Sequence, residues 1–529
     1  MKRWRGWGDD ATTYPLPIEA LPYLIEHVGQ PSPRKDITRE ELLKKVPRSH
    51  LKPSGLIKTD PFERLIHARG QSLADWVAMY SGKIEAYPDG VAYPESEADV
   101  RELIKTARQK GFRLIPYGGG SSVLGHVNAH KKDGPVVTVD MTRMSRLVSL
   151  DETSRTAVIE CGAAGPAIEA ILNKRGYRLG HFPQSFEFST LGGWIATRST
   201  GQQSYYYGRI EPLFLGGHLE SPAGSLDLPV FPASAAGPDI KQILLGSEGR
   251  MGILTRATVK LSPLPETEHF RAIFFPDWES GAAAAREMAQ ARLGVSMLRL
   301  SDASETETTL QLSGKPGFVD LAHKGLGLIG IRDQRCMLMY GLTGTKRATR
   351  LAYSEVQRIS RRHGGFAVNF VIGDTWEHSR FKTPYLRESL WENGIALDTL
   401  ETALPWSKVL DVNAKACKAI ATSLSKLNEK VHVFSHLSHL YPDGASMYIT
   451  FAWRRAGDPE ATLARWQIMK TAASEIITSA GGTISHQHGV GHDHKPWLEV
   501  EKGKLGIQAI QSAIKTFDPK GIFNTGNLV

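Results

Sequence analysis

Three glycine clusters, spaced along one stretch of alternating strand and helix signals, constrain this chain more than any other feature. The first, Pro116-Tyr117-Gly118-Gly119-Gly120-Ser121-Ser122, ends an apolar run that starts at Phe112. Successive backbone N–H groups in such a turn form a nest for anionic oxygens, and serine hydroxyls add donors. The second runs from Pro183 through Gln184, Ser185, Ser189, Thr190 and Gly193 to Trp194, with Thr197, Arg198 and Ser199 just beyond. The third, Leu245 to Thr255, holds Glu248, Gly249, Gly252 and Ile253. Clustered glycine lets a backbone approach a ligand or another backbone closely. The first cluster is not a G-x-G-x-x-G that opens a helix with an acidic residue about twenty further on, so a Rossmann dinucleotide site is a poor match. Taken alone, each cluster also suits an ordinary glycine-rich loop.

Around the clusters the chain reads as α/β. Ser96 to Asp99 opens a helix whose Val100, Leu103, Ile104 and Ala107 recur at i, i+3, i+4 and i+7, and Gly111 sits where a C-terminal cap belongs. Strands are expected at Val136–Val139 and Thr156–Cys161, followed by a helix through Ile168, Ile171 and Leu172 that stops at Gly176. These signals predict a ligand-binding domain over 85–265. Before it, 1–84 reads as an arm with one short helix, announced by the capping box Thr38-Arg39-Glu40-Glu41. Over 266–480, helical Gly281–Arg292 and Glu460–Ser479 flank β-like runs such as Met447–Trp453, which predicts antiparallel sheet plus helices. Residues 481–529 form a C-terminal segment with a further Gly/His cluster. The fold class is α+β, and 529 residues suit two or three cores.

Composition excludes several classes. The 64 basic and 55 acidic residues leave +9, a mild bias with no dense Lys/Arg block, so nucleic acid is not expected as a partner. No apolar run approaches the ~18 residues of a membrane span, and no apolar stretch follows Met1-Lys2-Arg3 to mark a signal peptide. Cys161, Cys336 and Cys417 stand apart, which argues against a disulfide framework or a thiolate zinc site and fits a reducing cytoplasm.

Two further stretches carry chemistry. In Ile484-Ser485-His486-Gln487-His488-Gly489-Val490-Gly491, strand-like alternation predicts His486 and His488 on one face and Gln487 on the other. His492 and His494 follow, but no nearby carboxylate or cysteine completes a metal set, so no metal is expected. The second stretch, His439 to Tyr448, ends in a tyrosine that would ordinarily be packing.

The three glycine clusters, in this order, resemble the FAD-binding domain of the vanillyl-alcohol oxidase type. The resemblance implies a two-part α/β FAD-binding domain with an antiparallel-sheet-plus-helices cap that takes the substrate. It also implies that the first loop holds the FAD pyrophosphate while the second and third wrap the rest. Relatives that link the flavin covalently often carry a histidine just after the first glycines. Here Ser121 and Ser122 take that place, so noncovalent FAD is expected, with His126 the one other candidate for a link.

Within that family the chain is similar to the alkyldihydroxyacetonephosphate synthases. Those show three histidines before Gly-Val-Gly, of which His486 and His488 are kept and the middle one is Gln487. The run ending in Tyr448, the Pro384-Tyr385-Leu386-Arg387-Glu388 segment and Glu401-Thr402-Ala403-Leu404-Pro405-Trp406 are similar too, as are Arg5-Gly6-Trp7-Gly8 and Ile522-Phe523-Asn524. The resemblance thus runs from near the first residue to the last. It implies replacement of the acyl chain of acyl-dihydroxyacetone phosphate by a long-chain fatty alcohol, with no net redox change at the flavin. By the same resemblance Tyr448 moves a proton if nearby cations depress its pKa, Arg387 pairs the departing carboxylate, and His486 and His488 contact phosphate or handle protons. An apolar tunnel for the chains is implied as well. Trp4, Trp7 and the basic arm are candidates for peripheral membrane contact, with plain packing of the arm the alternative, and a homodimer is compatible with this reading. Competing expectations are an FAD-dependent D-2-hydroxyacid dehydrogenase, and a flavin carrier without catalysis.

Overall fold

The computed structural model describes residues 2–32, 35–313, 324–368 and 371–529, with only the backbone at 371. Its glycine-rich half is built on two sheets. One has four strands in the order Ile57–Lys58, Gly90–Ala92, Val136–Asp140, Arg113–Tyr117, the last three mutually parallel. Parallel neighbours need a crossover, and the helix Glu97–Lys110 supplies it. Ser96 caps its first turn by accepting from the Asp99 N–H, and Gly111 ends it at φ 72°. The other sheet is antiparallel, ordered Leu147–Asp151, Thr156–Glu160, Ile253–Lys260, Phe214–Ser221, Gly224–Leu228.

The cap is a seven-stranded antiparallel sheet: Phe366–Val368, Thr267–Phe275, Cys336–Gly344, Met297–Ser301, Val431–Leu440, Gly444–Arg454, Ile395–Pro405. Alternation along these strands sorts the side chains. Leu298, Leu300, Leu338, Ile449 and Phe451 point to one face and join a core with the helices Trp278–Gln290, Lys346–Arg362 and Trp406–Ser423. Arg299, Met339, His436, Tyr448 and Thr399 point to the other, toward the glycine-rich half.

One division drawn from the sequence differs from the fold. The segment before residue 85 is more than an arm: it contributes the helices Leu21–Val28, Pro61–Ile66 and Leu73–Ser81 and the edge strand Ile57–Lys58 of the first sheet. Its Thr38 capping box forms as expected. Trp7 is buried against the cap core, edge-on to Phe188 at 5.4 Å, so packing takes this residue away from any bilayer. The C-terminal segment also belongs to the glycine-rich half. Leu498, Ile514 and Leu528 pack into the second sheet's core, while Phe523 bridges to Leu114 in the first.

Candidate active site

A cavity of about 1040 Å³ runs between the two halves, with all three glycine clusters on one wall and the cap sheet on the other. The first cluster supplies the donors. The backbone N–H groups of Gly118, Gly119, Gly120 and Ser121 have no acceptor among the described residues, and all four residues line the cavity. Four consecutive unpaired N–H groups in one cavity-lining turn form a nest suited to anionic oxygens. Its glycines are required by neighbouring backbone. A Cβ at Gly119 would lie 1.8 Å from the Phe188 carbonyl oxygen, and one at Gly118 2.2 Å from Thr190 Oγ1. Pro116, Tyr117 and Ser122 complete the turn along the cavity.

The second cluster forms the adjoining wall with Gln184, Ser185, Ser189, Thr190, Gly193, Thr197 and Ser199. Ser189 is fixed by donating to the Ser185 carbonyl and accepting from Trp194 Nε1 at 2.7 Å. Arg198 departs from expectation. It sits at φ 54° with its guanidinium turned away from the cavity, on Glu211 and Gln242. From the third cluster Gly249, Gly252 and Ile253 reach the cavity, but the Glu248 carboxylate is spent on protein. It accepts from the Val490 and Gly491 N–H groups and lies 3.2 Å from His126 Nε2, so it anchors the C-terminal turn beside the cradle. This donor set fits the pyrophosphate-bearing flavin that the resemblance implies.

On the cap wall, Tyr448 lies opposite Glu401 on one neighbouring strand and His436 on the other. Its hydroxyl donates to Thr399 Oγ1 at 3.1 Å. Burial pushes the phenol up, and Glu401 and Asp398 add to the rise. The condition set for Tyr448 to move a proton, a pKa depressed by cations, is not met: desolvation and acidic neighbours outweigh the cations, and the side chain is a neutral donor. Beside it, the helix Thr383–Glu392 delivers Arg387. This guanidinium stacks over Trp76 at 4.5 Å and donates from Nη1 to the Gln71 carbonyl at 2.7 Å. Its Nε and Nη2 are shut off from solvent without partners. An unsatisfied buried donor costs about 1–3 kcal/mol, and more when charged. The free edge of Arg387 is thus arranged for an anion.

The histidine segment is a turn rather than a strand, and the alternation expected of it fails. Glu401 accepts from the N–H groups of Gln487 at 2.7 Å and His488 at 2.8 Å and from Ser485 Oγ, which folds the chain back on itself. Gln487 and His488 consequently reach the cavity, and His486 does not. His486 is buried behind them, with Nε2 facing Arg209 Nη1 at 2.8 Å and the Tyr441 hydroxyl at 2.7 Å. Burial, with His439 and Arg209, holds it well below the ordinary histidine range, so it is neutral. His494 pairs with the Gly489 carbonyl and His492 with His130. Among the described residues, the one grouping of three potential metal-ligand atoms is Glu97, His218 and Glu220, away from this cavity and already bound by Arg101, Arg256 and Ser225.

Sequence reasoning missed three side chains on the same wall. Arg299 Nη2 donates to Glu305 Oε1 at 2.8 Å, and His436 Nδ1 lies 2.9 Å from the same oxygen. Arg299 and Glu305 are only six positions apart, on the strand Met297–Ser301 and the helix that follows it, but His436 comes from a strand more than a hundred positions later, so no local pattern adds it to the pair. The only local signal is Asp302, which caps the helix Ala303–Gln311 and so fixes Glu305 in its first turn.

Comparison with known proteins agrees with this architecture. The family model described as FAD binding domain matches residues 88–226, and that described as FAD linked oxidases, C-terminal domain, matches 264–528. Alkyldihydroxyacetonephosphate synthase of Caenorhabditis elegans is 30% identical over 88% of this chain and 80% of its own length. That of Dictyostelium discoideum is 29% identical over 100% of this chain and 93% of its own. A solved structure of an alkyldihydroxyacetonephosphate synthase superposes with a TM-score of 0.85 at 26% identity, covering 100% of this chain and 99% of that one.

Proposed function

The chain belongs to the alkyldihydroxyacetonephosphate synthase family of FAD-linked enzymes, and on that premise we propose that it exchanges the acyl chain of an acyl-dihydroxyacetone phosphate for a long-chain fatty alcohol. The observation that carries this reading is Arg387, a buried guanidinium on the cavity wall with two donors that have no partner. A departing fatty carboxylate matches such a fork, because planar donors grip both carboxylate oxygens. Leu386, Leu390, Leu397, Met337 and Met339 line the same space and suit an alkyl chain. FAD, held by Gly118–Ser121 and the walls of the second and third clusters, would supply an electrophilic centre for the substrate carbon without net redox change. With substrate bound, Tyr448 turns its one proton from Thr399 Oγ1 to a substrate oxygen, and the Thr399 hydroxyl can then donate to the phenol in return. His488 and Gln487 take the headgroup role expected of the histidine pair, and His486 holds their turn in place. The alcohol's own proton balances the charge of the carboxylate that leaves.

The test is incubation with palmitoyl-dihydroxyacetone phosphate and hexadecanol, with the ether read by mass spectrometry. Anaerobic bleaching of the flavin by D-lactate, glycolate or D-2-hydroxyglutarate, without ether formation, would overturn the reading in favour of a dehydrogenase. Arg387→Lys should keep the cofactor and lose roughly 10- to 100-fold in kcat/KM, the worth of about 1.5–3 kcal/mol for hydrogen bonds to a charged group. A variant as fast as the parent would remove Arg387 from carboxylate recognition.

We also propose that the FAD is held noncovalently. Ser121 and Ser122 stand where covalently linked relatives often carry a histidine, and His126 is buried, with Nδ1 2.6 Å from Ser122 Oγ and Nε2 3.2 Å from the Glu248 carboxylate, which holds the ring on the anchor of the C-terminal turn. Acid precipitation should release all the yellow colour into the supernatant. Colour retained in the pellet of wild type, and lost from it in His126→Ala, would show a link at that residue.

A further inference from the structure

With Tyr448 a neutral phenol, the exchange needs another group to take the proton from the substrate carbon, and the cap wall offers one. His436 lies on the cavity-facing side of the strand Val431–Leu440, its ring stacked on that of Tyr448 at 5.0 Å and 17°. Its Nδ1 is 2.9 Å from Glu305 Oε1, which makes Nδ1 the protonated nitrogen and leaves Nε2 with a lone pair. Among the described residues no partner occupies Nε2, and it is not a sealed, unsatisfied atom either. Glu305 is anionic: burial would raise its carboxyl, but Arg299 and His436 bring it down to about 2. Its place in the first turn of Ala303–Gln311 adds the positive end of the helix dipole. A carboxylate behind an imidazole, with the far nitrogen open to a substrate cavity, is the arrangement that fixes the tautomer and stabilises the imidazolium as it forms.

We infer that His436, oriented by Glu305, is the general base of the reaction proposed above, and this assignment rests on that exchange reading. The C–H bond between the ketone and the ester oxygen breaks. Its electron pair moves onto the ketone oxygen, and the proton moves to His436 Nε2, giving an imidazolium paired with Glu305. The same proton, or one exchanged with solvent, returns to that carbon after the chains have been swapped. Arg299 holds the same Glu305 oxygen beside the imidazole, with its Nη2 3.3 Å from His436 Nδ1. The other titratable groups facing the imidazole are Tyr448 across the strand pair and His439 on its own strand. Burial and Arg299 lower His436, against the pull of Glu305, so the neutral base is present at physiological pH. Glu305 acts as a positioning residue, and His436 is the one that touches the reacting hydrogen.

The experiment uses the FAD-loaded enzyme in deuterated water with the acyl ester and no alcohol, following replacement of the substrate hydrogen by mass spectrometry. Wild type should incorporate deuterium, and His436→Gln should lose ~10²–10⁴-fold in that exchange and in ether formation while keeping FAD. Exchange at the wild-type rate in His436→Gln would overturn the assignment. If that variant fails to keep FAD, Glu305→Gln decides. Losing the carboxylate should lower the acid limb of kcat/KM, because the imidazolium loses its counter-ion, and should slow turnover. A limb that does not move would equally overturn the assignment. A wild-type enzyme that neither exchanges the hydrogen nor makes ether would overturn the exchange reading itself, a result distinct from an active wild type with an active His436→Gln.

Discussion

Gly119→Leu yields a protein that does not retain FAD, measured as visible flavin absorbance per protein after gel filtration. The reason is backbone geometry rather than a side chain reaching into the cofactor space. The Cβ direction at Gly119 runs into the Phe188 carbonyl oxygen at 1.8 Å, the Phe188 carbonyl carbon at 2.5 Å and the Ser189 nitrogen at 3.1 Å. Those atoms belong to the second cluster, which itself lines the cavity. The two loops must part, and the unpartnered N–H groups of Gly118–Ser121 lose their common focus. Overpacking costs about 1–3 kcal/mol where side chains can yield. Here a main chain must yield, so a loss of retention beyond roughly 100-fold is expected. Gly193→Ala is the contrast. Its Cβ would meet Thr190 Oγ1 at 3.5 Å and otherwise open cavity, so Tm should hold while flavin affinity falls. Normal flavin content in Gly119→Leu would mean that the clusters do not form the cradle.

How much of this was legible in the sequence follows from the range of each signal. Local signals read well. The helix Glu97–Lys110 with its Ser96 and Gly111 caps, the strand Val136–Asp140 and the long helix Pro459–Ser479 all lie within a residue or two of expectation, because caps and periodicity are written in neighbouring positions. The glycine clusters were found because close approach of backbones demands glycine. What failed depended on distant partners. Alternation predicted a strand face for His486 and His488, but the buried Glu401 carboxylate, some 85 positions earlier, captures two consecutive N–H groups and turns the segment. The resemblance puts Arg198 of the second cluster on the cofactor, yet its left-handed backbone ends the helix Leu191–Thr197 and swings the side chain to Glu211. In the Arg299–Glu305–His436 group the Asp302 cap is a local signal for Glu305 alone, and His436 joins it only through pairing between Met297–Ser301 and Val431–Leu440. Strand pairing of that span is a property of the whole sheet, and composition does not report it.

Tyr448→Phe folds, binds FAD and loses ether formation by ~10²–10³-fold, the order found when one donor to developing charge is removed. The substitution deletes one hydroxyl and keeps the ring, whose stack on His436 and edge contact with His488 at 5.7 Å are unaffected. The lost hydrogen bond to Thr399 is worth only about 0.5–1.5 kcal/mol of stability, so Tm should change little. Because burial, Glu401 and Asp398 hold the phenol above its ordinary value, Tyr448 stays protonated at working pH. The wild-type rate should therefore show no alkaline fall that disappears in Tyr448→Phe. Such a fall would make the tyrosine an ionising participant and return the proton-abstraction role to it. The substrate-hydrogen exchange separates the two groups further. A variant lacking only the phenol should still exchange, more slowly, because the imidazole of His436 is intact. Unchanged turnover would remove Tyr448 from the chemistry altogether, whereas loss of FAD would reduce it to a packing residue of the strand Gly444–Arg454.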